Sequence, residues 1–236
     1  MGLRRLAIAS LVVALSPAWL PPAAGALSIG QQDNFEDGTT QGWVVALGGA
    51  AHPRPPVNMP SGGPAGAGDN FLFLTALGGQ GPGSRLTAIN VSQWAGDFIA
   101  AGISGVRMDL INLGPTDLHL RLLFSDESAG PAQNLAFSTT PFVLPAGGGW
   151  TTAFFSIASG DLTAGLGSVT AALHDTTDFR IFNSTATDFP GEPIVANLGV
   201  DNITAIPEPA SAVLLGSSLL ALYTFTRIRR TTHGRQ

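Results

Sequence analysis

The chain of 236 residues has no cysteine, no lysine and a single tyrosine, and charged residues make up only 11% of it. Without cysteine there is no disulfide, no thiol nucleophile and no thiolate metal site, so stability must come from an apolar core or from a metal held by oxygen or nitrogen. Without lysine, every basic side chain is arginine or histidine. No G-x-S-x-G, H-E-x-x-H or P-loop pattern occurs, and Gly81-Pro-Gly83 lacks the strand-to-helix setting of a phosphate loop. Catalytic signals are correspondingly thin. His52 and His174 fall in turn-rich stretches, His119 alternates with leucines and should face solvent, and no motif joins any of them to a carboxylate. Asp126 and Glu127 are adjacent, and neighbours on an extended chain point apart, so they do not by themselves form an acid/base pair.

What is present is concentrated at the two ends. Arg4 and Arg5 precede an apolar stretch from Leu6 to Leu20, and Ala24-Gly25-Ala26 supplies a small-residue cleavage site of the A-x-A type. Residues 1–26 therefore read as a secretory signal peptide, with Pro17, Pro21 and Pro22 arguing against an uncleaved spanning helix. At the other end, Pro207-Glu208-Pro209 is followed by an uncharged run from Ala210 to Thr226 and then by Arg227, Arg229 and Arg230. Seventeen helical residues span roughly 25 Å. That is the short end of what crosses a hydrocarbon core of about 30 Å, and the arginines can snorkel to the interface. The arginine cluster places residues 227–236 in the cytoplasm and the bulk of the chain outside.

This order of triplet, small-residue-rich apolar helix and terminal arginines resembles the PEP-CTERM sorting signal of Gram-negative bacteria. The resemblance covers residues 206–236. It implies recognition by an exosortase, a membrane transpeptidase, removal of the tail, and delivery of the rest to the cell envelope or extracellular matrix. Pro207, Glu208 and Pro209 would then be recognised residues rather than catalytic ones, the two prolines holding an extended backbone with two amide donors removed.

Residues 27–205 have the length of one domain. They carry fifteen Asp and Glu against five Arg, a net charge of −10, while the two ends contribute +2 and +3 to the total of −5. A domain of that sign with no basic stripe excludes nucleic acid as a partner. Hydrophobic content is 44%, in short patterned runs, which fits a packed β protein better than a disordered chain rich in Gly (30) and Pro (17). Val106 to Leu110 and Leu118 to Phe124 show strand alternation, and Asn112-Leu-Gly-Pro115-Thr between them is turn chemistry, so the pair is expected to form an antiparallel hairpin. Further strands are expected at Gly42–Leu47, Asn70–Ala76, Trp150–Ile157, Asp178–Asn183 and Leu198–Ala205. A short helix is expected at Ser92–Ala101 and a helical turn at Asp161–Leu166. The stretches His52–Asp69 and Gly78–Ser84 are too rich in Gly and Pro for regular structure. The fold class is all-β, a jelly-roll sandwich.

Asn34-Phe35-Glu36-Asp37-Gly38 with Gly42-Trp43, Gly66-Ala67-Gly68-Asp69-Asn70-Phe71, and Leu198-Gly-Val200-Asp201-Asn202-Ile203 are similar to the opening, middle and closing motifs of galactose-binding-like jelly rolls, the fold of many carbohydrate-binding modules. The resemblance implies a structural Ca2+ held by Glu36, Asp201 and Asp69 with main-chain carbonyls of Asn34 and Asn70. Six to eight oxygens at about 2.3–2.6 Å suit that ion. The family often has a glutamate in the middle loop, where this chain has Ala67 and Asp69. The competing reading is a simple turn at Glu36 and Asp37 with Asp201 as a strand-end hydrogen bonder. Sugar faces on such folds use Trp or Tyr as stacking platforms. Residues 27–205 hold Trp43, Trp94 and Trp150 and no tyrosine; Trp94 sits where it could be exposed, yet a core role is expected for all three. Three functions remain: a non-catalytic envelope or matrix protein sorted with exopolysaccharide, a calcium-dependent carbohydrate-binding module, or a hydrolase without a recognisable motif.

Overall fold

The structure is a computed structural model that describes residues 27–47, 52–128 and 130–208. The signal-peptide residues, the apolar run from Ala210, Pro209 and the terminal arginines lie outside them. Among the described residues no helix is long and apolar enough to cross a membrane.

The described residues form twelve strands, arranged in two antiparallel sheets, and one short helix. They are β1 (Gln32–Asp33), β2 (Val57–Met59), β3 (Phe71–Leu77), β4 (Thr87–Asn90), β5 (Ile103–Asn112), β6 (Leu118–Asp126), β7 (Asn134–Ser138), β8 (Phe142–Leu144), β9 (Thr151–Ser156), β10 (Leu162–Leu166), α1 (Val169–His174), β11 (Asp178–Asn183) and β12 (Val195–Pro207). Sheet A runs β2-β3-β12-β5-β9, with β1 added to β12; sheet B runs β10-β7-β6-β11-β4, with β8 added to β6. Period-two alternation turns Leu72, Leu74, Met108, Leu110, Leu198 and Val200 of sheet A inward against Leu120, Leu122, Phe124, Phe179 and Ile181 of sheet B. One core therefore lies between two sheets, as expected of an all-β sandwich.

The expected hairpin between Val106–Leu110 and Leu118–Phe124 does not form. β5 pairs with β12 and β9 in sheet A, whereas β6 pairs with β11, β7 and β8 in sheet B. The connecting segment crosses between sheets instead. Asn112 Nδ2 donates to the carbonyls of Thr116 and Leu144, Asn112 Oδ1 accepts from Gly114 N, and Leu113 N donates to Asn197 O. Turn chemistry marks a reversal, but whether the two strands pair or split across a core is decided by distant partners. A second correction concerns Gly42–Leu47, where only Val44 makes a bridge, to Ile89. Ser92–Ala101 is a series of turns rather than a helix, because Asn90 Oδ1 and Asp97 Oδ1 take the amide protons of Ser92 and Ala100 locally. Asp161–Leu166 contains β10, which pairs with β7, rather than a helical turn. β2 lies inside the stretch His52–Asp69, and β4, β7, β8 and α1 were without expectation from the sequence. β3, β9 and β11 match expectation closely, while β12 is longer than expected at both ends.

Asp33 on β1 places a carboxyl group inside the core. Its Oδ2 accepts from Trp43 Nε1 and Trp94 Nε1, each at 2.7 Å, and from Gln93 Nε2 at 3.0 Å. Burial raises the Asp33 carboxyl above its ordinary value, and the three donors pull the other way. Trp94 stacks on Phe179 at 5.1 Å and Trp43 meets the same ring edge-on at 5.8 Å, so the carboxylate aims both indoles at one core residue. Replacing Asp33 with alanine strands two buried indole donors at about 1–3 kcal/mol each. The expected outcome is a stability loss of roughly 2–5 kcal/mol in urea unfolding, with Asp33→Asn, which keeps an acceptor, losing far less.

Candidate functional site

Two places gather chemistry-bearing residues. The first is at the N-terminal motif, on the outer side of sheet A. Asp201 stands opposite Asp109 in the β12–β5 register, and the ladder shifts between Asp201 and Thr204 where Asn202 adopts φ 52°. Asn202 Nδ2 bridges Asp109 Oδ2 at 3.0 Å and Asp201 Oδ2 at 3.3 Å, while Asp201 Oδ1 accepts from Asn202 N at 2.7 Å. Phe35, fully buried at φ 58°, turns the chain so that Asn58 Nδ2 and Asn70 Nδ2 both donate to its carbonyl. Glu36 Oε1 accepts from Asn70 N at 2.9 Å, and Asp69 Oδ2 accepts from Ala65 N at 2.5 Å. The loop before β3 is closed by Gly63 N donating to Asp69 O; a Cβ at Gly63 would lie 2.5 Å from the Asp69 carboxylate.

Glu36, Asp69 and Asp201 are therefore neighbours, and Asp109 joins them. Asp201 is buried, and its carboxyl is pushed up to about 7, first by desolvation and then by the negative charges of Asp69, Asp109 and Glu36, against the pull of the Asn202 amide. Nevertheless, among the described residues no set of three or more His, Asp and Glu side chains is grouped to hold a metal ion. Glu36 and Asp69 are turned onto main-chain amides. The donor types suit a hard cation, and the repulsion on Asp201 is what such a cation would relieve; two of the carboxylates would have to leave their amides to reach it. Asp109 was missed because only the non-local β12–β5 register sets it beside Asp201.

The tryptophans settle differently from a stacking platform. Trp43 and Trp94 are fully buried on Asp33. Trp150 is half-buried, donates from Nε1 to Gly62 O and meets Phe71 edge-on at 5.3 Å. His119 is half-buried on β6, with Nδ1 lacking a hydrogen-bond partner among the described residues. His174 ends α1 beside Asp97. Asp126 accepts from Ser128 and Asn134, and Glu127 lies 3.6 Å from Arg180, so the two carboxylates serve separate partners.

The second place is the outer face of sheet B. Leu123, Phe137 and Phe182 form a small cluster there, covered by Leu135 and by Phe189 from the β11–β12 connection. That connection is fastened from below by Arg121, buried on β6, whose Nε donates to Ser184 O and whose Nη1 donates to Ser138 O and Thr139 O. Burial lowers the guanidinium's pKa and nearby Asp188 and Glu192 raise it. Glu192 accepts from Asn183 Nδ2 and Thr185 N, and Gly191 is required because a Cβ would lie 2.1 Å from Asn183 O. Phe189 thus stands as a wall. On one side is a cavity of about 360 Å³ with Phe137, Thr163, Thr187 and Asp188; on the other is one of about 300 Å³ with Val45, Arg85, Thr87 and Arg180. Arg180 holds Asp178 through Nε at 2.9 Å and lies 5.0 Å over the Phe189 ring. None of this was visible in the sequence, because the groove is assembled from three separate stretches of chain.

No family model matches the sequence, and no curated protein matches it. Solved structures do. The chain is similar to an exo-beta-agarase, at TM-score 0.53 and 14% identity, covering 77% of this chain and 26% of that one. It is also similar to the family 11 carbohydrate-binding module of the cellulosomal cellulase Lic26A-Cel5E of Clostridium thermocellum, at TM-score 0.50 and 10% identity over 78% of this chain and 97% of that one. A solution structure of CtCBM11 matches at TM-score 0.50 and 13% identity over 79% and 99%. The sandwich shares its fold with these modules. The chain spans about a quarter of the agarase, 26% of its length.

The carboxylate cluster carries a pH prediction. A carboxyl raised from 3.8 to about 7 binds its proton more tightly when folded, so its contribution to stability is full below the unfolded value and is lost as pH rises towards 7. Asp33 has the same sign, whereas Asp37 and Asp126, lowered chiefly by hydrogen bonds from Thr39 and Ser128, act in the opposite sense below 3.8. In metal-free protein the melting temperature should therefore fall between about pH 4 and 7, and Asp201→Asn should flatten most of that slope.

Proposed function

We propose that this chain is an exported carbohydrate-binding sandwich, and that it binds a saccharide on the outer face of sheet B. The observation that carries the reading is the Phe189 wall, an aromatic ring flanked by two cavities with hydroxyl and charged side chains along them. Apolar aromatic surface beside hydrogen-bonding groups is what a pyranose, with one apolar and one polar surface, requires. The shared fold supports the reading without fixing the ligand. The alternative of a passive envelope or matrix component would leave that groove without a use, and a hydrolase would require a cleft with converging carboxylates or a His–Asp pair. Asp126 and Glu127 serve separate partners, and the His174–Asp97 pair at the end of α1 lies outside the groove.

Calcium belongs to the proposal as a structural ion. Asp201, Asp69 and Glu36 would hold it, with main-chain carbonyls of Asn34 and Asn70 and with Asp109 close by. When bound it would supply the positive charge that these carboxylates lack and would tie the first turn to the last strand. A polysaccharide panel run by calorimetry with calcium and with EDTA tests both points. Saccharide binding is expected, weakened about tenfold by Phe189→Ala, together with a calcium-dependent rise in melting temperature. If the panel shows no binding, the carbohydrate reading fails; if the melting temperature ignores calcium and EDTA alike, the ion is dropped.

Sorting through an exosortase is proposed on the residue pattern of positions 206–236, with the cell envelope or extracellular space as destination and the membrane as a transient stop. It is supported by Glu208 being exposed directly after β12. Changing Pro207, Glu208 and Pro209 to alanine should trap the precursor at the inner membrane in cell fractionation; normal release would refute the sorting role.

A further inference from the structure

We infer that the saccharide bound at the sheet B groove is acidic, and that Arg85 receives its carboxylate. The inference rests on the carbohydrate reading above and names the ligand class within it. The cavity of about 300 Å³ continues past Val45, Arg85 and Thr87 into a second of about 250 Å³, bordered by His52 and Ser84. Among the described residues no Asp or Glu lines either one. Yet residues 27–205 hold only five arginines against fifteen acidic groups, and two of the five, Arg85 and Arg180, face this groove. Positive charge is scarce in the domain, and part of it lines this groove.

The two arginines are not equivalent. Arg180 is already balanced by Asp178, with Glu127 at 3.6 Å. Arg85 has no carboxylate within ion-pair distance among the described residues, and its one hydrogen bond runs from Nε to Gly191 O at 2.6 Å. That bond fixes the plane of the guanidinium while both Nη groups stay unengaged. A planar fork held in place is the geometry that grips a carboxylate through two parallel hydrogen bonds. Beside it, Thr87 Oγ1 is buried without a hydrogen-bond partner among the described residues, an arrangement that costs stability unless a ligand group supplies one. A sugar hydroxyl next to the carboxylate meets that need, and Phe189 adds apolar surface to the same cavity. A neutral sugar would use Thr87 and Phe189 but leave Arg85 idle. The net charge of −10 does not forbid an acidic ligand, because at physiological salt charges beyond about 8 Å are screened.

The test uses the full chain in mild detergent and calorimetry at physiological salt, with short oligomers of galacturonate, mannuronate and glucuronate, each against its carboxyl-reduced neutral counterpart. At least one acidic oligomer should bind about tenfold more tightly than its reduced form. Arg85→Gln should abolish that preference, bringing the acidic and reduced forms to equal affinity, and Thr87→Val should weaken both forms. Inorganic sulfate at the same concentration should not compete. Equal binding of acidic and reduced forms overturns the inference while the carbohydrate reading stands, as does a preference that survives Arg85→Gln. Full competition by sulfate overturns it as well, marking a simple anion site. Failure of every acidic and neutral oligomer overturns the inference and the carbohydrate reading together.

Discussion

Everything in the sandwich is arranged around one buried carboxylate. Asp33 enters on a strand of two residues, too short to contribute much by itself, and is held there because two indole N–H groups need an acceptor inside the core. The arrangement is mutually dependent. A charge in an apolar interior is costly without donors, and buried indole donors are costly without an acceptor. Joined, they lock the first strand onto β12 and set the angle at which Trp43 and Trp94 meet Phe179, around which Phe98 and Phe124 also pack at 5.9 and 5.3 Å. A chain without disulfides gains from this network the cross-link between its N-terminal turn and its two sheets that cysteines supply elsewhere.

The same economy explains the outer face of sheet B. Arginine in this protein is a structural reagent as much as a charge. Arg121 satisfies three main-chain carbonyls from inside the fold and so anchors the loop that carries Phe189. Arg180 lies under that ring, and Arg85 pins the loop's far end at Gly191. Three of the five domain arginines thus bear on one loop, and the hydrogen bonds they make hold it in place; a ligand bound beside it would meet a lower ordering cost.

What could be read from the sequence was local. Alternation in Leu118–Phe124 and Asp178–Asn183 and the apolar-Asp-Asn-apolar pattern at Leu198–Ile203 all describe a strand by its own residues, and those strands are where they were expected. The hairpin failed for the same reason the others succeeded: Asn112 to Thr116 announces a reversal, but its partners Asn197 and Leu144 are far away in sequence and decide that β5 and β6 part company. Glu36, Asp69 and Asp201 are associated by the resemblance of their three motifs to those of known jelly rolls, whereas Asp109, with no motif of its own, needed the register. The Arg85–Thr87–Phe189 groove had no signature at all, since an exposed arginine and an unpaired threonine look like any surface pair until a loop folds over them.

The position of β12 in sheet A bears on the order in which the molecule can assemble. It lies between β3 and β5, pairs Thr204 with Gln32, and ends at Pro207 opposite Ile103, with no linker before the Pro-Glu-Pro triplet. A chain emerging N-terminus first must therefore hold β3 and β5 with open edges, and β1 with no partner, until nearly all of the domain has appeared. Closure depends on contacts separated by most of the domain's length, the regime in which folding is slow and exposed edges invite misassociation. Any agent that grips the triplet also grips the end of the strand that completes the sheet. Folding and capture of the tail are thereby made competing claims on the same few residues.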